Sequence, residues 1–461
     1  MGWIVASHPA LSPERFFRGF AVERLSRAHL VPVERVYPPA TSFPACPCRL
    51  IGGDNLAVMR TLLDEGYAGK INLIYIDPPF DSRSDYRHQI LLDGTKIIRE
   101  ASMVDRLAYR DTWEGGIEAY LAMLAPRLRL MVELLSDDGN LFIHLDHRRV
   151  HYVKVLMDGI LPDGFLNEII WHFNSGPRER NAFGRRHHTI LRYAKDPTRA
   201  FLDLESPQAR TPYSPDINIP ACKAHYYHPM GKIHDDVWDI DLIAQNDRTE
   251  REGFATQKPL HLLKRIVGCC SRPGDLVADF FCGSGTTAAA AEELGRRWIA
   301  VDQSGPAVQV TRRRLLRSGI FGFLVEQDRV EAQPQIVSSV AIRAVRSCDT
   351  GLVTVRLLDY RSPEIPLKNP EQRKRAQHVL EKDFAYAVDS WSVDPAPAAQ
   401  VFCSRYYRAR NGKRDTAPVA KEIGDIPVPG AIDHVAVRIT DVFGNETTRR
   451  VPITPSKPPT E

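Results

Sequence analysis

Between residues 51 and 320 the apolar positions change period in a regular rhythm. Short continuous apolar runs alternate with longer stretches in which apolar residues recur three and four apart. The run INLIYID (71–77), with Ile71, Leu73, Ile74 and Ile76, predicts a strand covered on both faces. IEAYLAMLAPRLRLMVELL (117–135) predicts a strong helix, interrupted at Pro126. GDNLAVMRTLLDEG (53–66) reads as a turn and an amphipathic helix, DDGNLFIHLD (137–146) as a Gly-Asn turn and a strand, and RRVHYVKVLMDGI (148–160) as a helix. FLNEIIWHF and HHTILRYAK are two further strands. The rhythm then lapses and returns at TQKPLHLLKRIVGCCS (256–271), a helix, followed by GDLVADF, TTAAAAEELG, RRWIAVD and GPAVQVTRRRLLRSG as strand, helix, strand, helix. Such alternation predicts an α/β fold with a largely parallel, doubly wound sheet.

Three stretches depart from it. Residues 1–50 are rich in Pro, Arg and small residues and read as an N-terminal arm, with a short helix around Pro13–Leu25. Residues 196–250 hold many prolines, aromatics and polar residues, as an inserted recognition element does. After residue 325, GLVTVRLLDY (351–360), QVFCSRYYRARNGK (400–413) and DHVAVRITDVFGNETTRRVPIT (433–454) are β-rich, the last a hairpin turning at Gly444-Asn445. This end is expected to be a small β domain, an immunoglobulin-like sandwich. The expected organisation is therefore an arm at 1–50, core at 51–175, insertion at 176–250, core again at 251–325, and a β-rich domain at 326–461.

The 461 residues suffice for two or three domains with sizeable cores. No apolar run reaches membrane-spanning length and the first residues lack a signal-peptide layout, so a cytoplasmic location with no membrane partner is expected. The eight cysteines are scattered without paired zinc spacing, which favours reduced thiols. A net charge of +4 is uninformative, but its distribution is not. GPRERNAFGRRHH (176–188) concentrates Arg178, Arg180, Arg185 and Arg186, candidates for phosphate contacts. TRRRLLR (311–317) reads instead as a solvated helix face.

Chemistry concentrates at two places. Asp77 follows the buried strand and is itself followed by Pro78, Pro79 and Phe80. Neither proline can continue a sheet ladder, so the acid is held on a rigid turn at the strand's carboxyl edge, where open α/β sheets bind ligands. In VADFFCGSGTTAAAAEELGRRWIAVD (277–302) a strand ends at Asp279, a turn carries Gly283, Ser284 and Gly285, and a small-residue helix opens at Thr286. About twenty residues past the first glycine the next strand ends in Asp302, suited to a ribose diol. No third glycine stands where a pyrophosphate would need it. Phe281 and Asp302 therefore fit a nucleoside without phosphates, such as S-adenosylmethionine.

DFFCGSG resembles the cofactor motif of amino-methylating DNA methyltransferases, and DPPF their catalytic motif. Catalytic motif first is the order of the β class. The chain resembles in particular the modification subunits of type III restriction systems and their stand-alone relatives, with GDNL (53–56), NEIIWHFNSG (167–176), HHTILRYAK (187–195), DDVWDI (235–240) and TQKPLHLLKRIV (256–267) in the expected order. Phe280, where relatives commonly carry proline, and Phe80, in place of the more frequent tyrosine, are departures.

The resemblance implies a Rossmann-like S-adenosylmethionine-dependent methyltransferase fold with an inserted target-recognition region and a C-terminal β-rich domain. It implies methyl transfer to N6 of a flipped adenine in double-stranded DNA, in a restriction-modification or phage-defence setting. N4-cytosine methylation and a DNA-recognition subunit without catalysis are the alternatives. Asp77, Pro78, Pro79 and Phe80 are the implied catalytic residues. Asp54, Lys258, Asp279, Phe281, Gly283, Ser284, Gly285, Thr286 and Asp302 are the implied cofactor contacts, with Thr256 nearby and Asp54 beside the adenine. The loop 81–113 is expected to act as a lid. Cys282 is assigned to packing, His144, Asp146, His147 and His151 to structure and not to a metal, and Asn55 to cofactor binding or a helix cap. A homodimer and restriction or defence-system subunits are the implied protein partners.

Overall fold

A computed structural model describes residues 26–39, 41–79, 88–92, 95–99, 116–175, 180–213, 225, 227–244, 247, 249–254, 256–328, 339–363, 365, 367, 369–397, 401–410 and 417–456. The N-terminal strands are β1 (Leu30–Val36), β2 (Cys48–Gly52) and β3 (Ile71–Ile76). A separate hairpin, β4 (His88–Leu92) and β5 (Thr95–Arg99), follows within the expected lid, whose remaining residues lie outside those described. Then come β6 (Leu135–Leu145), β7 (Phe165–His172), β8 (His187–Ala194), the short pair β9 (Arg210–Thr211) and β10 (Lys232–Ile233), β11 (Val237–Asp239), β12 (Leu276–Asp279), β13 (Arg297–Asp302) and β14 (Phe323–Asp328). The C-terminal region adds β15 (Ser339–Arg346), β16 (Val353–Arg361), β17 (Val388–Asp394), β18 (Phe402–Ser404), β19 (Tyr406–Ala409), β20 (Glu422–Ile426), β21 (His434–Asp441) and β22 (Glu446–Pro455).

The main sheet has the order β11-β7-β8-β6-β3-β12-β13-β2-β14-β1-β18. From β6 to β14 all neighbours are parallel. This is the expected doubly wound α/β sheet. Its strand β3 is apolar apart from Asn72 because alternate side chains serve opposite faces. Ile74 and Ile76 join a core under the helices Asn55–Asp64, Gly116–Leu134 and Val150–Ile160. Leu73 and Tyr75 join a second core under Leu260–Cys270, Thr286–Glu293 and Gly305–Arg317. The parallel strands share one carboxyl edge, which brings Asp77, Asp279 and Asp302 to neighbouring positions across β3, β12 and β13.

Several expectations change. The helix 116–134 runs through Pro126 without ending. A side chain tightens the turn before the proline, where Arg127 Nη1 donates to Met123 O at 2.7 Å. Residues 30–36 and 48–50, expected in an arm, belong to strands of the main sheet, and β8 pairs between β6 and β7 in that sheet although it lies within 176–250. The expected short helix near Pro13–Leu25 lies outside the described residues.

The C-terminal region is not an immunoglobulin-like sandwich. It is one seven-stranded sheet, β19-β17-β21-β22-β15-β16-β20, with its two end strands within 8 Å of each other between Cα atoms. The parallel pairing of β15 with β22 joins what would otherwise be two sheets, so the sheet curls into a nearly closed barrel. Val353, Val355, Trp391, Val437 and Ile439 fill it. The hairpin between β21 and β22 turns where expected, at Gly444 with φ 96°. Meanwhile β18 leaves the barrel and pairs with β1 in the main sheet.

The basic stretch 311–317 is not a solvated face. Its helix lies between the main sheet and the barrel, and Arg312 and Arg314 are buried. Arg312 donates to both Glu34 carboxylate oxygens at 2.6 Å, with Ser404 completing the cluster from β18. Arg313 pairs with Asp389 at 2.7 Å, and the Tyr407 hydroxyl donates to Leu316 O.

Candidate active site

Where β3 stops, Asp77 opens a turn whose next residue, Pro78, is buried. The Lys258 ammonium bonds to Asp77 Oδ2, and both side chains are largely shielded from water. Lys258 precedes Pro259, the first residue ahead of the helix Leu260–Cys270, and also donates to Thr256 O at 3.2 Å. Glu250 steadies this approach by accepting from Leu260 N at 2.5 Å. The sequence suggested Lys258 for the cofactor; its ion pair here is with the acid of the DPPF turn. Phe80 lies outside the described residues.

The second half of the site is the turn between β12 and the helix Thr286–Glu293. Gly283 (φ 51°) and Gly285 (φ 71°) adopt left-handed backbone conformations. A Cβ at Gly285 would also lie 2.5 Å from Thr311 Cγ2, so the position excludes other residues on two grounds. Thr311 Oγ1 donates to Gly283 O at 3.0 Å, and Arg314 Nη1 donates to Thr286 Oγ1 at 2.7 Å and Ser284 O at 3.3 Å. Ser284 and Thr286 are buried and their hydroxyls engage one another at 3.3 Å. Phe281 is half-buried, whereas Phe280, at the departure from the family motif, is fully buried in the core.

Two buried carboxylates flank the turn. Asp279 accepts from Thr287 Oγ1 at 2.5 Å and Phe281 N at 3.0 Å, and Asp302 accepts from Gly283 N and Ser304 N, each at 2.9 Å. Burial pushes Asp279 up to about 7, with Asp77 and Asp302 adding repulsion against these hydrogen bonds. Burial likewise pushes Asp302 up to about 6. Burial, with repulsion from Asp302 and Asp279, raises the Cys282 thiol well above its ordinary value, which suits a packed side chain and not a nucleophile.

Asp54 caps the helix Asn55–Asp64 by accepting from Leu56 N at 3.1 Å and pairs with Arg127 at 2.8 Å. Asn55, not the cap, donates from Nδ2 to Phe280 O at 2.7 Å while Arg127 Nε holds its Oδ1 at 2.5 Å. Asn55 and Arg127 thus tie the GDN turn to the segment leading into the glycine turn, a role that nothing in their spacing announced.

Beneath Asp77, two buried rings and the half-buried His188 form a hydrogen-bonded chain. Tyr75 OH lies 2.7 Å from His144 Nδ1, and His144 Nε2 lies 3.0 Å from His188 Nδ1. Burial, with Lys258 nearby, holds His144 well below its ordinary value and His188 at about 3, so both imidazoles are neutral. Asp146 instead receives Arg148 at 2.6 Å. Among the described residues, no group of three or more His, Cys, Asp or Glu side chains is arranged to hold a metal ion. Of the predicted DNA contacts, Arg180, Arg185 and Arg186 are exposed on the loop between β7 and β8, and Arg178 lies outside the described residues. Among those residues, no helix is long and apolar enough to cross a membrane.

The profile of the family described as DNA methylase, covering N6 and N4 amino methylation, matches residues 71–313. The chain belongs to that family. It is similar to the type II methyltransferase M.EcaI of Enterobacter cloacae, with 28% identity over 330 residues covering 58% of this chain and 69% of that one. It is also similar to the type II methyltransferase M.HpaI of Haemophilus parainfluenzae, with 24% identity over 295 residues covering 64% and 82% respectively. Both relatives carry type II names, where the motifs suggested type III modification subunits. Among solved structures, the M1.HpyAVI–SAM complex aligns with 19% identity and a TM-score of 0.35 over 58% of this chain and all of that one. The cytosine-N4-specific PvuII DNA methyltransferase aligns with 17% identity and a TM-score of 0.38 over 63% and 92%. These structural likenesses are weak and carry no inference.

Proposed function

We propose that this DNA methylase transfers a methyl group from S-adenosylmethionine to N6 of an adenine rotated out of duplex DNA, within a restriction-modification or phage-defence setting. The observation that carries this reading is the convergence of Asp77, Asp279 and Asp302 on one sheet edge around a glycine turn. The residues fit the cofactor. Asp279 and Asp302 are carboxylates that burial raises toward neutrality, and the methionine ammonium and sulfonium are cations that would favour their ionised forms. Each oxygen of Asp302 accepts one backbone N–H and retains a lone pair for a ribose hydroxyl. When bound, S-adenosylmethionine supplies the electrophilic methyl group.

The chain's own part is to make a poor nucleophile competent. An exocyclic base amine has its lone pair delocalised into the ring. Acceptance of its hydrogens by the Asp77 carboxylate and Pro78 carbonyl favours rehybridisation, and the paired prolines keep those acceptors from relaxing. Lys258 holds Asp77 Oδ2, so the carboxylate is fixed in place before the amine arrives. Phe80 stacks on the flipped base, whose amine is out of reach inside the helix. Each transfer forms one N–C bond, breaks one C–S bond and releases one proton. Asp54, Phe281, Ser284 and Thr286 complete the proposed cofactor surround, the last two by setting the turn from within.

The test is nucleoside mass spectrometry of mixed-sequence duplex DNA incubated with the protein and S-adenosylmethionine, beside Asp77→Ala. N6-methyladenine that vanishes in the variant is the expected result. N4-methylcytosine would keep the mechanism and change the base. Absence of any methylated base despite cofactor binding would overturn the catalytic reading.

A further inference from the structure

The loop joining β7 to β8 carries the most exposed large apolar side chain among the described residues, Phe183, at 97%. An apolar ring wholly in water makes no contact that stabilises this chain. Its surroundings are cationic, with Arg180, Arg185 and Arg186 all exposed. The base of the loop is firm: Phe173 N donates to Arg186 O at 2.9 Å, and Asn174 N to Asp241 Oδ1 at 3.0 Å. Phe173 is buried there against Trp171 and His188. Phe183 is therefore presented from an anchored loop.

Register places that loop at the catalytic edge. Leu145, the last residue of β6, lies opposite Thr189 of β8, so the chain before His187 projects beyond the carboxyl ends of the parallel strands. β8, β6 and β3 are consecutive neighbours, and Asp77 follows the last residue of β3. Two interstrand spacings amount to roughly 10 Å. A base held at Asp77 would leave its vacated place in the duplex within reach of this loop.

We propose that Phe183 inserts into the duplex at the position vacated by the target base, while Arg180, Arg185 and Arg186 bind the flanking phosphates. This rests on the base-flipping reading above and adds the residue that holds the helix open. A phenyl ring offers no hydrogen bonds, so it reads no base. It replaces lost stacking, as apolar wedges do where proteins unstack base steps. The arginines supply the sequence-independent attraction that seats it.

The test uses the full chain and a duplex carrying the site that the wild type methylates in the mixed-sequence pool. Single-turnover methyl transfer at saturating duplex should fall about tenfold or more in Phe183→Ala and be largely kept in Phe183→Trp, because base–aromatic stacking is lost in one and retained in the other. A mispaired target base, already poorly stacked, should restore most of the Phe183→Ala rate, which a merely structural defect would not allow. Arg185→Ala with Arg186→Ala should weaken duplex binding and lower the salt slope by about one per arginine. Wild-type transfer by Phe183→Ala on the paired site, or a loss that mispairing does not restore, would overturn the wedge. No transfer by the wild type on any duplex would overturn the base-flipping reading and the wedge with it.

Discussion

The acidic edge makes a prediction about pH that can be worked through in sign and size. Asp279 ionises at about 7 in the folded chain, because burial and neighbouring acids disfavour its charge. The unfolded value is about 3.9. Between those limits the folded state binds the extra proton, so raising the pH costs stability, and the full cost is present above pH 7. The difference corresponds to about 4 kcal/mol at pH 8, undiscounted for solvent because the side chain is only 4% exposed. An amide in place of the Asp279 carboxyl would carry no charge yet keep an oxygen for the Thr287 hydroxyl. The urea-unfolding free energies of Asp279→Asn and wild type should therefore diverge from about pH 4 upward, with the variant's advantage growing by about 2.5 kcal/mol between pH 5 and pH 8 and reaching about 4 kcal/mol relative to the acid limit. The cofactor reverses the balance, since its positive charge favours the ionised acid and expels the proton. At pH 5.5 a group ionising near 7 is almost wholly protonated, so S-adenosylmethionine should bind up to about thirtyfold more weakly than at pH 8. Titration calorimetry in buffers of different ionisation heat should show close to one proton released at pH 6. A stability difference that stays flat from pH 5 to 8, or binding without proton release, would refute the electrostatic reasoning.

Three further outcomes follow from the same geometry. Lys258→Met should lose at least about tenfold in methyl transfer at saturating cofactor and DNA, since it frees the carboxylate from its fixed position; wild-type single-turnover rates would contradict this. Glu34→Gln leaves buried Arg312 without its counter-charge and should lower stability by about 3–5 kcal/mol, read as a fall in the urea midpoint. Gly285→Ala should weaken cofactor binding in equilibrium dialysis through both strained backbone and the Thr311 clash. Adding Thr311→Ala should relieve the clash at the cost of the Thr311 bond to Gly283 O and leave the backbone strain, so recovery should be partial and full recovery would show the left-handed backbone to be unimportant.

The sequence exposed what local chemistry writes into short stretches. The buried run before Asp77, the two prolines that stop it, and the glycines that pin a left-handed turn are each legible within a few residues. Pairings between distant segments were not. Lys258 and Asp77 stand 181 positions apart, and nothing in TQKP says which acid its ammonium meets. Strand content predicts a sandwich where the chain forms a barrel, because it does not reveal that β15 and β22 join two halves into one sheet.

The arginines of 311–317 show why that gap matters for function. A run of four arginines in seven residues looks solvated on composition alone, and helical periodicity cannot say that both faces will be covered. Here one helix serves two neighbours. Arg312 and Arg313 reach the barrel side through Glu34, Ser390 and Asp389. Thr311 and Arg314 reach the glycine turn through Gly283 O, Ser284 O and Thr286 Oγ1. Glu34 is itself on β1, the strand that β18 extends out of the barrel. Removing residues 330–461 would therefore uncover Arg312 and Arg313, take Ser404 from Glu34, and loosen the helix against which Gly283 and Gly285 are set. The C-terminal barrel is thus part of the support of the glycine turn, and under the proposed cofactor role of that turn its loss should register first as weakened S-adenosylmethionine binding, before any effect on DNA.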